Sequence, residues 1–244
     1  MKKNLLFVIV MLLSMVSTKA SAHDIAVENA DGVTIYYNFI NDGTELAVAR
    51  GIYSGDVNIP DEVTYMRTTL KVTAIEEMAF AFGNNLISVS IGNNVKTIGN
   101  EAFSDSENLL SVNFGNSVTS IGEKAFYNCF RLTSLTLPNS VTSIGDEAFA
   151  YSYGIYSLNF GDGLLSIGQQ AFYGCTGIIN LSIPNSVETI GDRAFFSCNG
   201  LISVSFGDGM ESIGIEAFSH CEKLTSLSFG NGLASIGEKA FSFC

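Results

Sequence analysis

From Ile75 to the C-terminus, apolar residues return to the same places every 23 positions. Phe80, Phe103, Phe126, Phe149, Phe172, Phe195, Phe218 and Phe241 form one column. Ile75, Ile98, Ile121, Ile144, Ile167, Ile190, Ile213 and Ile236 form another, five residues earlier. Every Phe of the column follows Ala, and every Ile from Ile98 onward precedes Gly. The unit 132–154 reads LTSLTLPNSVTSIGDEAFAYSYG, in which Leu135 and Leu137 alternate with Ser134 and Thr136. That period of two predicts a strand with one buried face. Pro or Gly follows, and then Asn93, Asn116, Asn139, Asp162, Asn185, Asp208 or Asn231. The column reads as a turn in which the Asx side chain bonds its own backbone. A second short extended piece is expected over 141–144, and one turn of helix over 145–149. A unit this short cannot bury its own apolar face, so the rungs must stack and share one core. At a strand spacing of about 4.8 Å, seven rungs make a rod roughly 34 Å long.

The pattern L-x-x-L-x-L/F-P/G-x-x-V-x-x-I-G-x-x-A-F-x-x-C, held over 57–244, resembles the BspA-like leucine-rich repeats of surface proteins from anaerobic bacteria. The resemblance implies a β-rich, right-handed leucine-rich repeat solenoid. It places a parallel sheet on the concave side and short strands and helical turns on the convex side. It also implies adhesion, to host matrix proteins, host cells or other bacteria. The motif builds a scaffold, so it carries no functional residue with it.

The ends depart from the repeat. Residues 1–22 have a basic start (Lys2, Lys3), an apolar run from Leu5 to Val16 and a small-residue end, Ala20-Ser21-Ala22. This is the form of a secretory signal peptide cleaved before His23, and the run is too short to span a bilayer. No other run in the chain is long enough for a transmembrane segment. Over 23–53, Val33, Ile35, Tyr37 and Phe39 alternate, then Leu46 and Val48, around Asn41-Asp42-Gly43. That predicts a β-hairpin cap over the first rung. Val57, Ile59 and Val63 match Val89, Ile91 and Val95 at an offset of 32, making 54–85 a degenerate first repeat with an insertion around 64–73. Six complete units occupy 86–223, and an incomplete seventh ends at Cys244. Its strand would leave an open edge. The expectation is a longer natural chain or end-to-end self-association through that rung.

Charge narrows the function. The net charge is −12, and without the three lysines of the acid-free leader the remaining residues carry −15. Such a surface repels phosphate backbones and excludes nucleic acid as a partner. The five cysteines, Cys129, Cys175, Cys198, Cys221 and Cys244, all lie three residues after a column Phe. One small residue per rung at a fixed place reads as packing, so buried free thiols are expected rather than disulfides. His23 and His220 belong to no catalytic arrangement. The GDGLLSIG and GDGMESIG strings lack the Lys-Ser/Thr of a phosphate loop and read as turns. The chain is therefore read as no enzyme, with no cofactor and no metal.

Partner binding is assigned to the strand face and to aromatic residues that replace polar ones in neighbouring rungs. The candidates are Phe130, Tyr151, Tyr153 and Tyr156, with Ser134, Thr136, Ser157 and Asn159 on the strands. Grouped exposed aromatics are typical of interfaces. The expected function is that of an exported, cell-surface-associated protein, secreted or held at the outer surface, binding a protein ligand. A glycan-binding module or a non-catalytic structural spacer is the alternative.

Overall fold

The structure, a computed structural model, describes residues 23–244; the leader expected at 1–22 lies outside the described residues. The chain opens with β1 (Ile25–Glu28), β2 (Thr34–Ile40) and β3 (Glu45–Val48), paired antiparallel in that order. Asn41, Asp42 and Gly43 at the tip between β2 and β3 all have positive φ. Next come β4 (Gly55–Asn58), β5 (Glu62–Tyr65) and β6 (Thr68–Ile75). β5 and β6 form an antiparallel hairpin, so the insertion in the first repeat is folded as a strand pair. Met66 and Arg67 at its turn both have positive φ, the geometry whose twist suits a two-residue hairpin loop. β3 pairs parallel with β6, where the antiparallel start passes into the solenoid.

Each following rung contributes two strands. They are β7 (Leu86–Ser90), β8 (Thr97–Ile98), β9 (Ser111–Asn113), β10 (Ser120–Ile121), β11 (Ser134–Thr136), β12 (Ser143–Ile144) and β13 (Ser157–Asn159). The series continues with β14 (Ser166–Ile167), β15 (Asn180–Ile183), β16 (Thr189–Ile190), β17 (Ser203–Phe206), β18 (Ser212–Ile213), β19 (Ser226–Ser228) and β20 (Ser235–Ile236). The Ile-column strands from β8 to β20 extend β6 as one parallel sheet in 23-residue register, for example Ser120↔Ser143 and Ile121↔Ile144. β4 pairs with β7 at the offset of 32 seen in the sequence, Val57↔Val89.

The strands built on the alternating Leu residues form three separate sheets, β4-β7-β9, β11-β13 and β15-β17-β19, where one parallel sheet was expected. Each break falls immediately before a rung that carries Pro, at Pro138 and at Pro184. The rung partners of these prolines are glycines, and rungs approach too closely there for a side chain. A Cβ on Gly115 would lie 2.2 Å from the Gly92 carbonyl oxygen. Proline brings a Cβ and has no N–H, and the ladder is interrupted at both boundaries where it replaces glycine.

The single turn of helix expected before each column Phe is absent. In its place is a run of overlapping turns, with Glu101, Lys124, Glu147, Gln170, Arg193, Glu216 and Lys239 all at positive φ. Ala148 N–H bonds back to Gly145 O, while Glu147 and Phe149 N–H reach forward to Gln169 O and Ala171 O in the next rung. A helix would turn those donors inward along its own axis. Here the gain of inter-rung bonds overrides local helical preference.

The core is the stack of columns. Rings from Phe80 to Phe241 lie 4.7–5.3 Å apart and within 9° of parallel. At the N-terminal end Tyr53 covers Phe80 at 4.3 Å, tilted by 35°, in the place of a preceding column ring, and its hydroxyl donates to Ala49 O. The small residue after each Phe also has a task. Ser106, Cys129, Ser152, Cys175, Cys198 and Cys221 each donate through their side chain to the carbonyl of the column Phe one rung earlier, at 2.9–3.3 Å. All five cysteines are free thiols; four are buried, as the fixed spacing suggested, while Cys244 in the last rung is exposed.

The Asx column works between rungs rather than within its own turn. Asn139 Oδ1 accepts from Asp162 N–H, Asn185 Oδ1 from Asp208 N–H, and Asp208 Oδ1 from Asn231 N–H. In the last rung Leu227, Phe229 and Ile236 are exposed, while their partners Val204, Phe206 and Ile213 are buried.

Candidate functional site

After each column Phe come two turn positions, of which some, such as Ala150 and Ser219, are buried. Those two positions hold Tyr127, Tyr151, Tyr173, Phe196, His220 and Phe243 in successive rungs, and the rings touch one another. Centroid separations along the series are 5.4, 5.3, 5.1, 5.0 and 4.6 Å. The result is an outer aromatic ladder running parallel to the buried Phe stack. Its first five rings are half-buried, and Phe243 is 71% exposed. Tyr153 joins it from the side, 6.1 Å from Tyr151.

The ladder has one recess, a cavity of about 350 Å³ lined by Tyr127, Tyr151, Tyr173 and Phe196 with Glu147, Ala150, Gln170 and Arg193. The first position after the column Phe is Tyr127, Ala150, Tyr173 and Phe196 in consecutive rungs; where it is the buried Ala150, Tyr151 fills the ladder's place, 5.4 Å from Tyr127 and 5.3 Å from Tyr173. The positive-φ turn residues Glu147, Gln170 and Arg193 stand beside it. Arg193 lies over the Phe196 ring and pairs with Glu216 at 2.6 Å. Glu147 pairs with Lys124 at 3.3 Å. Burial, followed by the nearby Glu147 carboxylate, holds the Tyr127 phenol above its ordinary range. Burial and the neighbouring tyrosines do the same for Tyr151. Both hydroxyls therefore stay protonated as donors at neutral pH.

The sequence-derived site divides between two surfaces. Tyr151 and Tyr153 belong to the outer ladder. Phe130 is one rung before Tyr153 in the same column and shares its exposure, but Tyr156 lies apart, 62% exposed just before β13. Ser134 and Thr136 face solvent on β11, in register with Ser157 and Asn159 on β13. Ser134 and Thr136 also line a shallow groove of about 460 Å³ with Ser88, Ser90, Ser111 and Asn113, across the break before Pro138. The ladder residues Tyr127, Tyr173, Phe196, His220 and Phe243 were not among the sequence candidates. Their signal zigzags between two adjacent columns, which column-by-column reading separates. Among the described residues no group of His, Cys, Asp or Glu side chains is placed to hold a metal ion.

The model of the BspA type leucine-rich repeat region matches the chain in six copies, over residues 57–179 and 142–244. The chain belongs to this family. One solved structure agrees with that assignment at the level of the fold. A leucine-rich repeat protein of T. pallidum superposes with a TM-score of 0.62 at 24% identity, covering 83% of each chain. One from Bacteroides ovatus gives 0.49 at 23% identity, over 86% of this chain and 79% of its own. A leucine-rich cell surface protein from Faecalibacterium prausnitzii gives 0.47 at 22%, over 93% and 82%. No curated protein sequence matches. In this BspA-type solenoid the outer ladder occupies the two positions between the column Phe and the Ser or Cys three residues after it. No helix among the described residues is long and apolar enough to cross a membrane.

Proposed function

We propose that this chain is an exported, cell-surface-associated adhesion protein that binds a protein partner through the turn edge of its solenoid, and that it performs no catalysis. The observation that carries this reading is the outer aromatic ladder, with Tyr151 and Tyr153 in it. A solenoid needs its buried Phe stack for stability, but the half-exposed rings outside it contribute less to the core. Large aromatic side chains that remain accessible on a rigid surface supply the anchors of protein interfaces. The leader pattern at 1–22 supports export. Mass spectrometry of the secreted protein should find His23 at its N-terminus.

The test of binding is adhesion of the secreted chain to surfaces coated with extracellular matrix proteins. Replacing Tyr127, Tyr151 and Tyr173 together with Ala should lower binding at least about tenfold. Unchanged binding would remove the ladder from the interface. A second reading, glycan binding, draws on the hydroxyl-lined strand groove at Ser88, Ser111 and Ser134. In that case Ser134→Ala and Thr136→Ala abolish retention on a glycan array, and the tyrosine variants leave it unchanged.

A further inference from the structure

We propose that Asn231 is a site of spontaneous deamidation, converted to aspartate or isoaspartate by the backbone nitrogen of its own neighbour, Gly232. Sequence supplies the first condition. Asn-Gly occurs twice among the described residues, at 199–200 and at 231–232. Glycine leaves its backbone nitrogen unshielded, because it carries no side chain. Neither glycine can be exchanged for a larger residue without a clash. A Cβ would lie 2.1 Å from Thr176 O at Gly200 and 2.2 Å from Asp208 O at Gly232.

The surroundings separate the two sites. The Asn199 amide is tied down, with its nitrogen against the carbonyl oxygens of His220 and Ser197. Asn231 is exposed, and its amide makes one bond, to Asp208 Oδ1 at 3.0 Å. The turn around it is also the loose one. In each of the six rungs before it, a backbone bond closes the equivalent turn, from Val95 N–H to Gly92 O through to Met210 N–H to Gly207 O. Among the described residues the matching bond from Leu233 N–H to Gly230 O is absent, and Gly232 N–H has no acceptor. A turn without its closing bond leaves the Gly232 nitrogen free to reach the Asn231 side-chain carbon.

The reaction needs only water. Gly232 N forms a bond to Asn231 Cγ, the Cγ–Nδ2 bond breaks, and ammonia leaves with the proton that Gly232 N gives up. Water then opens the cyclic imide at Cγ, giving aspartate, or at the main-chain carbonyl, giving isoaspartate. The product alters the stack. Asp162, Asn185, Asp208 and Asn231 never place two carboxylates in adjacent rungs of this column. Conversion sets a second carboxylate against Asp208 in place of the amide donor, and like charges facing each other across a ladder destabilise it. Isoaspartate also routes the main chain through the side chain, which disturbs the bond from Asn231 N–H to Asp208 Oδ1. The rung 224–244 therefore loosens as the protein ages.

Peptide mass spectrometry after incubation of the secreted chain in mildly alkaline buffer tests this. Trypsin leaves the two sites on separate peptides, 194–223 and 224–239. In the folded chain, amide-to-acid conversion should accumulate several-fold faster in 224–239, and isoaspartyl methyltransferase should label that peptide. In guanidinium chloride the two rates should converge, because the fold no longer distinguishes the sites. Equal rates in the folded chain overturn the proposal, as does faster conversion at Asn199 or none at Asn231. Asn231→Asp tests the consequence directly. Amide exchange across 224–239 should quicken several-fold against the unmodified chain, and unchanged exchange overturns the loosening.

Discussion

Cys175 shows how much of this protein is decided one side chain at a time. Its thiol donates to the Phe149 carbonyl across the rung boundary, at the place where Ser152 makes the same bond to Phe126. A small donor is what the site requires, so Cys175→Ser should be tolerated within about 1 kcal/mol, while Cys175→Val should cost more by leaving the carbonyl with one donor fewer. Burial pushes these thiols up, Cys221 from an ordinary value near 9 to about 12. A raised thiol pKa means that the folded state holds its proton where the unfolded chain has lost it. The stability it contributes is therefore full below pH 9 and falls as pH rises toward 12. Urea midpoints measured across that range should decline, and less steeply in Cys221→Ser. Thiol reagents at neutral pH should modify exposed Cys244 first and the four buried cysteines only on unfolding. The Phe column has the largest single-residue effect. Phe149→Ala should cost about 3–5 kcal/mol by chemical denaturation, because its ring is covered on both sides by neighbouring rings.

At the scale of the element, the two strand series differ in what a rung tolerates. The Ile-column strands run unbroken to β20, but the Leu-column strands part wherever proline replaces the close-approach glycine. Gly115→Ala should reproduce that parting between β7 and β9. It should cost about 1–3 kcal/mol through the clash with the Gly92 carbonyl and speed amide exchange at Ile91, whose N–H bonds to Asn113 O. The strands themselves were legible in the sequence, since alternation at Leu135 and Leu137 has one reading. The segment 145–149 was misread as helical because Asp, Glu and Ala suit a first helical turn. Nothing local announces that residues such as Glu147 will adopt positive φ to send every other N–H to the next rung. The Asx bonds were hidden for the same reason, as their partners lie 23 residues away.

Across the whole molecule, order along the rod should be graded. Each rung is held only by its neighbours, so hydrogen exchange should be slowest through 118–195 and fastest in 224–244, where Leu227, Phe229 and Ile236 lack cover. The repeat made the solenoid legible because seven identical offsets admit one explanation. The cap was legible only in outline. Tyr53 precedes Phe80 by 27 residues rather than 23, so its place at the head of the ring stack appears only in three dimensions. The outer ladder was missed in part because touching rings need not share a column. The side-chain bonds to the Phe carbonyls all join one rung to the next at an identical separation of 26 residues. Duplicating or deleting one whole unit inside the array would recreate every such bond at the new junction. The gene could thus lengthen or shorten the protein in single steps, adding or removing a length of outer surface without renegotiating the interior.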